Sequence, residues 1–600
     1  MTPHEAESSS TTDGLPVAPS LGPSLVAVHA SHQSASVSRR TVWLCLAAAI
    51  LGCAAALVAQ GLSLLIAFIT QLAFFGRVSA QAASPAEHQL GPWVIAVPIA
   101  GALVVGLMAR FGSKAIRGHG IPEAMEQVLF NKSRIPARMT FLKPVSAAIA
   151  IGTGGPFGAE GPIIATGGAL GSMLGQWLPV TSEERKTLLA AGAAAGMAAT
   201  FGSPVAAVLL AVELLLFEYK PRSVLPVALA SSAATAVRAA FVGGAPAFAM
   251  PEVALPGGGA LAFYVALGCM IGLASVFVTR AVYLIEDLFE KLPVHWMWWP
   301  AIGAIAVGVV GWLDPRTLGV GYTNIEDIIS GRLLGAALLM LCVLKFVSWS
   351  IALGSGTSGG TLAPLFTIGG ALGALIGASA DALFPSLGVD ARVAALVGMA
   401  AIFAGASRAL LASIVFAFET TRQPLGLLPL LAGCSASYLV SALLMRNSIM
   451  TEKLARRGAR VLTEYGADFL ATVHVRDAAT RPAKTLDAAM SVEAARAWLA
   501  GGDAGSTHQG YAVVAGGKLA GVLTRRDLQN AAPEASLASL IRRPAVAISE
   551  DQSLREAEDA MVRENVGRLP VVMPDDRSQV VGILTRSDLL RAHAKRLAEA

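Results

Sequence analysis

The chain is poor in charge, aromatic residues and cysteine. Of its 600 residues, 14% are charged and 6% are Phe, Trp or Tyr, whereas soluble domains carry about 25% charged residues. A chain that is soluble throughout is therefore excluded. The shortage of charge is local. Residues 446–600 hold 41 of the 85 charged side chains, about 26% of that stretch, and residues 1–445 hold the other 44, about 10%. A long apolar body thus precedes a tail of ordinary soluble composition. The five cysteines, Cys45, Cys53, Cys269, Cys342 and Cys434, all lie in apolar segments, with no CxxC spacing and no histidine partner. That argues against a disulfide framework or a zinc site and leaves them as small membrane-buried residues. The net charge of +5 is small, and Lys and Arg in the tail are interspersed with acids. Without a basic stripe or an aromatic ladder, no nucleic-acid partner is expected. No Ser/His, paired-Asp or HExxH constellation stands out in the body, so an enzyme is disfavoured and no metal or cofactor is required.

What is present is hydrophobic length. Residues 1–37 are rich in Ser, Pro, Ala and Thr and read as a disordered N-terminus. An apolar run from Thr41 to Phe75 follows Ser38-Arg39-Arg40, too long for a cleaved signal peptide. Further apolar stretches include Trp93–Phe111, Leu188–Phe217, Val224–Phe241, Leu261–Leu284, Leu333–Leu353, Val393–Phe418 and Leu425–Met445. Some reach the roughly 20 residues a bilayer span needs; shorter ones fit broken helices lining a cavity. The membrane domain is read as 38–455. Arg39 and Arg40 flank the first helix, and Arg446, Lys453, Arg456, Arg457 and Arg460 flank the last. The positive-inside rule places both termini in the cytoplasm, with an even number of crossings. The Gly/Ala-rich, aromatic-poor composition suits a bacterial inner membrane.

The body repeats itself. Gly158–Gly175 lies on Gly360–Gly377 at an offset of 202, with the glycine pair and a proline in register, and Ser203–Glu213 lies on Ala409–Glu419. Small residues favour close helix packing and so resemble one another. The matched proline and glycine register instead points to a transporter-like duplication with discontinuous helices near the midplane.

Three glycine–proline segments open helical sequence: Gly118-His119-Gly120-Ile121-Pro122, Gly158-Ala159-Glu160-Gly161-Pro162 and Gly360-Thr361-Leu362-Ala363-Pro364. Glycine permits close approach by a ligand, and proline is tolerated in the first turn. A helix N-terminus holds an anion through free N–H groups and its dipole, and conduction needs weak binding rather than a trapping cation. Read alone, each segment is equally a loop with a helix start. Glu160 adds weight, because an acid inside an apolar membrane segment is costly unless used. It either occupies the anion's own site and leaves when protonated, or caps its own helix.

In this order the segments resemble the signatures G-S-G-I-P, G-R-E-G-P and G-x-F-x-P of the CLC family of chloride channels and proton/chloride exchangers, and the similarity covers about residues 41–455. It implies an all-α polytopic membrane protein of two inverted repeats with broken helices. It also implies a homodimer in the lipid bilayer with one pore per subunit, chloride as the transported ion, and Glu160 as the gating glutamate. The anion-binding positions carried over are Gly118, His119, Gly120, Ile121, Pro122, Gly158, Gly161, Thr361, Leu362, Ala363 and Met450. The chain departs from the pattern where it has His119 for Ser, Ala159 for Arg and Leu362 for Phe. Met450 stands where the family has a tyrosine, and Met cannot donate a hydrogen bond. That leaves the His119 N–H as an alternative donor, and a histidine also titrates near neutral pH. After Phe201-Gly-Ser-Pro204, family exchangers carry Glu-Glu; here the pair is Glu213-Leu214. Leu214 at the proton-relay position cannot carry a proton, and Glu213 is read as structural.

The tail repeats at an offset of 61. Gly521-Val-Leu-Thr-Arg-Arg-Asp-Leu528 matches Gly582-Ile-Leu-Thr-Arg-Ser-Asp-Leu589, each after a strand-like run and a helix pattern. It resembles an α/β pair of CBS domains, 474–531 and 536–595. The resemblance implies an adenine nucleotide held by Thr524, Asp527, Thr585 and Asp588; alternatively both acids only cap the following helix. The leading functional expectation is a CBS-regulated chloride channel gated by Glu160. The alternatives are a proton-coupled chloride exchanger and a non-conducting membrane sensor.

Overall fold

The computed structural model describes residues 39–458, 469–501 and 508–599, in two compact units: a body within 35–465 and a tail from 466 onward. The expectations for residues 1–37 and for Arg460 fall outside the described residues.

The body consists of two eight-helix halves. The first holds α1 (Arg39–Phe75), α2 (Ala96–Phe111), α3 (Ile121–Phe130), α4 (Met139–Gly152), α5 (Glu160–Trp177), α6 (Ser182–Phe201), α7 (Pro204–Ala211) and α8 (Pro221–Val242). The second holds α9 (Gly258–Glu290), α10 (Trp299–Leu313), α11 (Tyr322–Ile329), α12 (Gly335–Gly354), α13 (Leu362–Leu383), α14 (Ala391–Ser407), α15 (Leu410–Thr421) and α16 (Leu427–Leu444), and α17 (Glu452–Arg456) closes the body. The packing repeats: α5 lies on α6 as α13 lies on α14, and α1 lies on α8 as α9 lies on α16. Among the described residues, eight helical spans are long and apolar enough to cross a membrane.

Several of the other helices are short for a physical reason. Leu188–Phe217 and Val393–Phe418, continuous in hydropathy, each split into two helices. The breaks fall at Gly202 (φ 66°) and Arg408 (φ 64°), both left-handed and 206 residues apart. At about 1.5 Å per residue, the 10-residue α3 and the 8-residue α7 and α11 are too short for a hydrocarbon core of about 30 Å. Their ends lie within the body, where free amides and carbonyls need partners. The repeat supplies those partners reciprocally. The Glu419 carboxylate accepts from the amides of Val205 and Ala206 on α7, at 3.1 and 2.9 Å. The Glu213 carboxylate accepts from those of Leu411 and Ala412 on α15, both at 3.0 Å. Lys143 Nζ donates to the carbonyls of Ile116 and Gly118 at 2.8 Å. Its counterpart Lys345 donates to those of Thr317 and Gly319 at 2.9 and 3.0 Å. Each lysine thus pins the loop that leads into a short helix, α3 or α11.

The tail carries α18 (Phe469–Thr472), α19 (Val475–Ala478), β1 (Thr485–Asp487), α20 (Val492–Ala500), β2 (Gly510–Ala515), β3 (Lys518–Thr524), α21 (Arg525–Asn530), β4 (Ile548–Ser549), α22 (Leu554–Arg563), β5 (Arg568–Val572), β6 (Val580–Thr585) and α23 (Arg586–Glu599). Two three-stranded sheets share one topology: β1 pairs parallel with β2, which pairs antiparallel with β3, and β4, β5 and β6 repeat this. The cores are exchanged. Leu470 and Val475 pack with Ile548, Leu554 and Leu569 of the second unit, while Leu537 packs with Val492, Tyr511 and Leu523 of the first. The segment before each sheet therefore completes the core of the other.

The reciprocal carboxylates give a stability test. Glu419→Ala strands two amides at the start of α7. It is expected to cost about 3 kcal/mol, the scale of two hydrogen bonds to a charged group, and Glu213→Ala is expected to cost about the same. Thermal unfolding in detergent checks this, and an unchanged transition in either variant would show those amides satisfied otherwise.

Candidate functional site

The N-termini of α3, α5 and α13 converge inside the body. Gly158 N–H donates to the Gly360 carbonyl at 3.2 Å, and Gly360 N–H returns the bond to Gly158 at 2.9 Å. Gly118 pairs with Ser358 as an isolated parallel bridge, and the hydroxyls of Ser146 and Ser358 lie 3.3 Å apart. The second segment is wedged between the other two: a Cβ at Gly161 would lie 2.1 Å from the His119 carbonyl oxygen and 2.9 Å from Gly360 Cα. All three glycine–proline segments are thus one site, and their first-turn amides lie where a helix dipole favours an anion.

Side chains sharpen the picture. His119 is 6% exposed, and its Nδ1 has no hydrogen-bond partner. The hydroxyls of Ser203, before α7, and Thr361, before α13, are likewise buried without partners. Buried polar atoms are normally paired, so these three helix starts each carry a buried polar group without a partner in the protein. Ile121, Pro122, Leu362 and Ala363 are buried in the first turns of α3 and α13.

Glu160 is fully buried at the first position of α5. Its Oε1 accepts from the Tyr322 hydroxyl at 2.8 Å. Its Oε2 makes no full hydrogen bond, and the carboxyl group lies near the amides of Glu160 itself and Ala363. There is no room for a side chain at residue 158, where a Cβ would sit 1.7 Å from Oε2. The carboxylate is therefore laid against the joined helix starts.

Two further positions are also buried. Met450 is fully buried, and its segment is tied to α3 through Lys453, whose Nζ lies 3.2 Å from Glu123 Oε1. Glu123 Oε2 in turn accepts from Gly120 N–H at 2.7 Å. Leu214 is buried in a π-helical turn, Val212–Leu216, that packs against α3.

In the tail, Thr524 Oγ1 donates to Asp527 Oδ2 at 2.6 Å, and Asp527 N–H donates back to Thr524 Oγ1 at 3.2 Å, capping α21. Both also line a cavity of about 340 Å³ with Arg542, Arg543 and Arg568. Burial holds Arg568 below its ordinary value, with Asp527 opposing. The second motif is more committed. Asp588 is 1% exposed, accepts from the Thr585 amide and hydroxyl at 2.7 and 2.6 Å, and pairs with Arg591 at 2.9 Å.

Sequence reading missed Tyr322, Glu123 and the two lysines. Gly120-x-x-Glu123 is a capping pattern. Lys143 and Lys345 are charges in apolar runs, 202 residues apart, the same offset that relates the glycine segments. The offset places Tyr322 opposite Gly120, a mismatch in residue type that hides its role.

A body of crossing helices with broken helix starts meeting around a buried carboxylate defines a polytopic anion transporter. The family model described as "Voltage gated chloride channel" matches residues 100–442, and the model "CBS domain" matches residues 537–595. The chain belongs to the voltage-gated chloride channel family, transports chloride across a membrane, and ends in a CBS domain. It is 33% identical over 377 residues to the "H(+)/Cl(-) exchange transporter ClcA" of Vibrio campbellii, covering 61% of this chain and 80% of that one. It is 28% identical over 371 residues to a chloride channel protein named ClcB-like from Ralstonia nicotianae, covering 61% of this chain and 86% of that one. Its fold is similar to that of a slow cyanobacterial Cl-/H+ antiporter, with a TM-score of 0.62 at 24% identity, covering 70% of this chain and 98% of that one. These relatives are channels and transporters, not enzymes.

Gly161→Ala tests the convergence. The added methyl would force the first and second segments apart, so chloride flux from liposomes is expected to fall below a tenth of the parent value, whether or not the protein stays monodisperse. Undiminished flux would contradict the close approach.

Proposed function

We infer that the chain conducts chloride passively along a path gated by Glu160, under control of its tail acting as a CBS pair. The observation that carries the passive reading is Leu214, a buried leucine at the position where a proton relay would need an acid. The gating reading rests on Glu160, whose carboxylate lies against the helix starts of α5 and α13, where a chloride ion would be held. Protonation or rotation would remove that negative charge and leave the amides for the anion. Inside the gate the anion would meet the backbone amides of the first segment and His119, since Met450 has no hydrogen to donate. The reading carries with it a homodimer in an inner membrane with both termini cytoplasmic.

A second reading, proton-coupled exchange, is favoured by the printed names of the Vibrio relative and of the cyanobacterial structure. Liposome efflux with simultaneous pH recording separates the two. The passive reading expects chloride to leave without stoichiometric proton movement, and expects Glu160→Ala to raise flux and flatten its pH dependence. Uphill proton movement driven by a chloride gradient would establish the exchanger instead, unchanged gating in Glu160→Ala would end the gate assignment, and no flux at all would favour a non-conducting sensor.

For the tail, we infer an adenine nucleotide in the cavity lined by Thr524, Asp527, Arg542, Arg543 and Arg568. Three guanidiniums beside a Thr and an Asp suit phosphate and ribose oxygens. Calorimetry of the full-length protein with ATP and with AMP is expected to show binding that Asp527→Ala weakens at least tenfold, on the order of one lost hydrogen bond to a charged group. No heat with either nucleotide would leave the Thr–Asp pairs as helix caps alone.

A further inference from the structure

Glu160 is held by a residue from the other half of the repeat. Tyr322 opens α11 just after Gly321, and its Oη donates to Glu160 Oε1 at 2.8 Å. The ring is locked independently of that bond. It meets Phe201 edge-on at 5.6 Å and Phe248 at 6.0 Å, and Phe201 meets Phe416 edge-on at 4.9 Å. These rings come from the end of α6, the segment after α8, and α15. With the ring fixed, the hydroxyl has one direction to point, and Glu160 lies there.

The nearby positive charge does not replace it. Lys345 on α12 is within electrostatic reach of Glu160, but its Nζ already donates to the Thr317 and Gly319 carbonyls. Residue 159, next to the glutamate, is an alanine and offers no charge. Ala159 and Tyr322 both line a cavity of about 450 Å³.

We propose that Tyr322 is the latch of the gate: its hydroxyl holds the Glu160 carboxylate across the path, and anion passage requires that hydrogen bond to break. The proposal rests on the reading of Glu160 as the gate. Tyr322 acts through Glu160 and is a positioning residue. A charge-assisted O–H···O⁻ bond is among the stronger hydrogen bonds a protein makes, so its loss leaves the carboxylate more often out of the path.

The test compares chloride efflux from liposomes for the parent protein, Tyr322→Phe, Glu160→Ala and the double variant. Tyr322→Phe keeps the ring and removes only the hydroxyl. It is expected to raise flux by roughly tenfold, the factor one hydrogen bond to a charged group supplies. The double variant is expected to match Glu160→Ala alone, because a latch has no effect without its bolt. If Glu160→Ala raises flux while Tyr322→Phe leaves it unchanged or lowers it, the latch is wrong and the gate stands. If Tyr322→Phe still changes flux in the Glu160→Ala background, the tyrosine acts on the path itself and the proposal fails. If Glu160→Ala changes nothing, gate and latch fall together. A readout independent of transport is the infrared carboxylate band of Glu160, assigned by difference from Glu160→Gln. The band is expected to shift in Tyr322→Phe, and an unshifted band would also overturn the proposal.

Discussion

The two hydrogen bonds between Gly158 and Gly360 are the constraint on which the body depends. A membrane interior offers no water to unpaired amides, yet a site that passes an anion must leave some amides uncommitted. Pairing one glycine with its repeat counterpart at 2.9 and 3.2 Å answers the first demand. It brings the starts of α5 and α13 together and pairs their flanking backbone. The wedge of Gly161 against His119 brings α3 to the same point.

The rest of the body supports this joint. Helices that stop inside the body create orphan amides elsewhere, and the duplication resolves them by exchange: Glu213 serves α15 and Glu419 serves α7. Lys143 and Lys345 pin the two loops that feed α3 and α11. Charge in the body is scarce, and much of what lies deep within it holds backbone in place. Glu160 differs because its partner is a side chain on a neutral, locked ring.

Much of this was legible in the sequence. The split between body and tail follows from charge density, and the 202-residue offset reveals the duplication through its glycines and proline. The three segments that meet are visible because glycine permits the close backbone approach and proline is tolerated in a helix's first turn. Hydropathy averaged along the chain could not show that Leu188–Phe217 and Val393–Phe418 are each broken, since the break is a left-handed turn at a single residue, Gly202 or Arg408, within a run that stays apolar on average. Nor could it show Tyr322. Repeat comparison pairs it with a glycine, and only the fold brings α11 against α5. In the tail, the Thr–Asp motifs were readable, but the exchange of Leu470, Val475 and Leu537 between cores was not, because it depends on which sheet a short helical segment reaches.

The central claim is that the Glu160 carboxylate and a permeating halide compete for one place at the joined helix starts. Anomalous diffraction from bromide-soaked crystals of the parent protein and of Glu160→Gln tests it directly. The account predicts a bromide peak beside the Ala363 amide and the Tyr322 hydroxyl in Glu160→Gln that is absent or much weaker in the parent protein. Equal peaks in both, or none at that place in either, would contradict it.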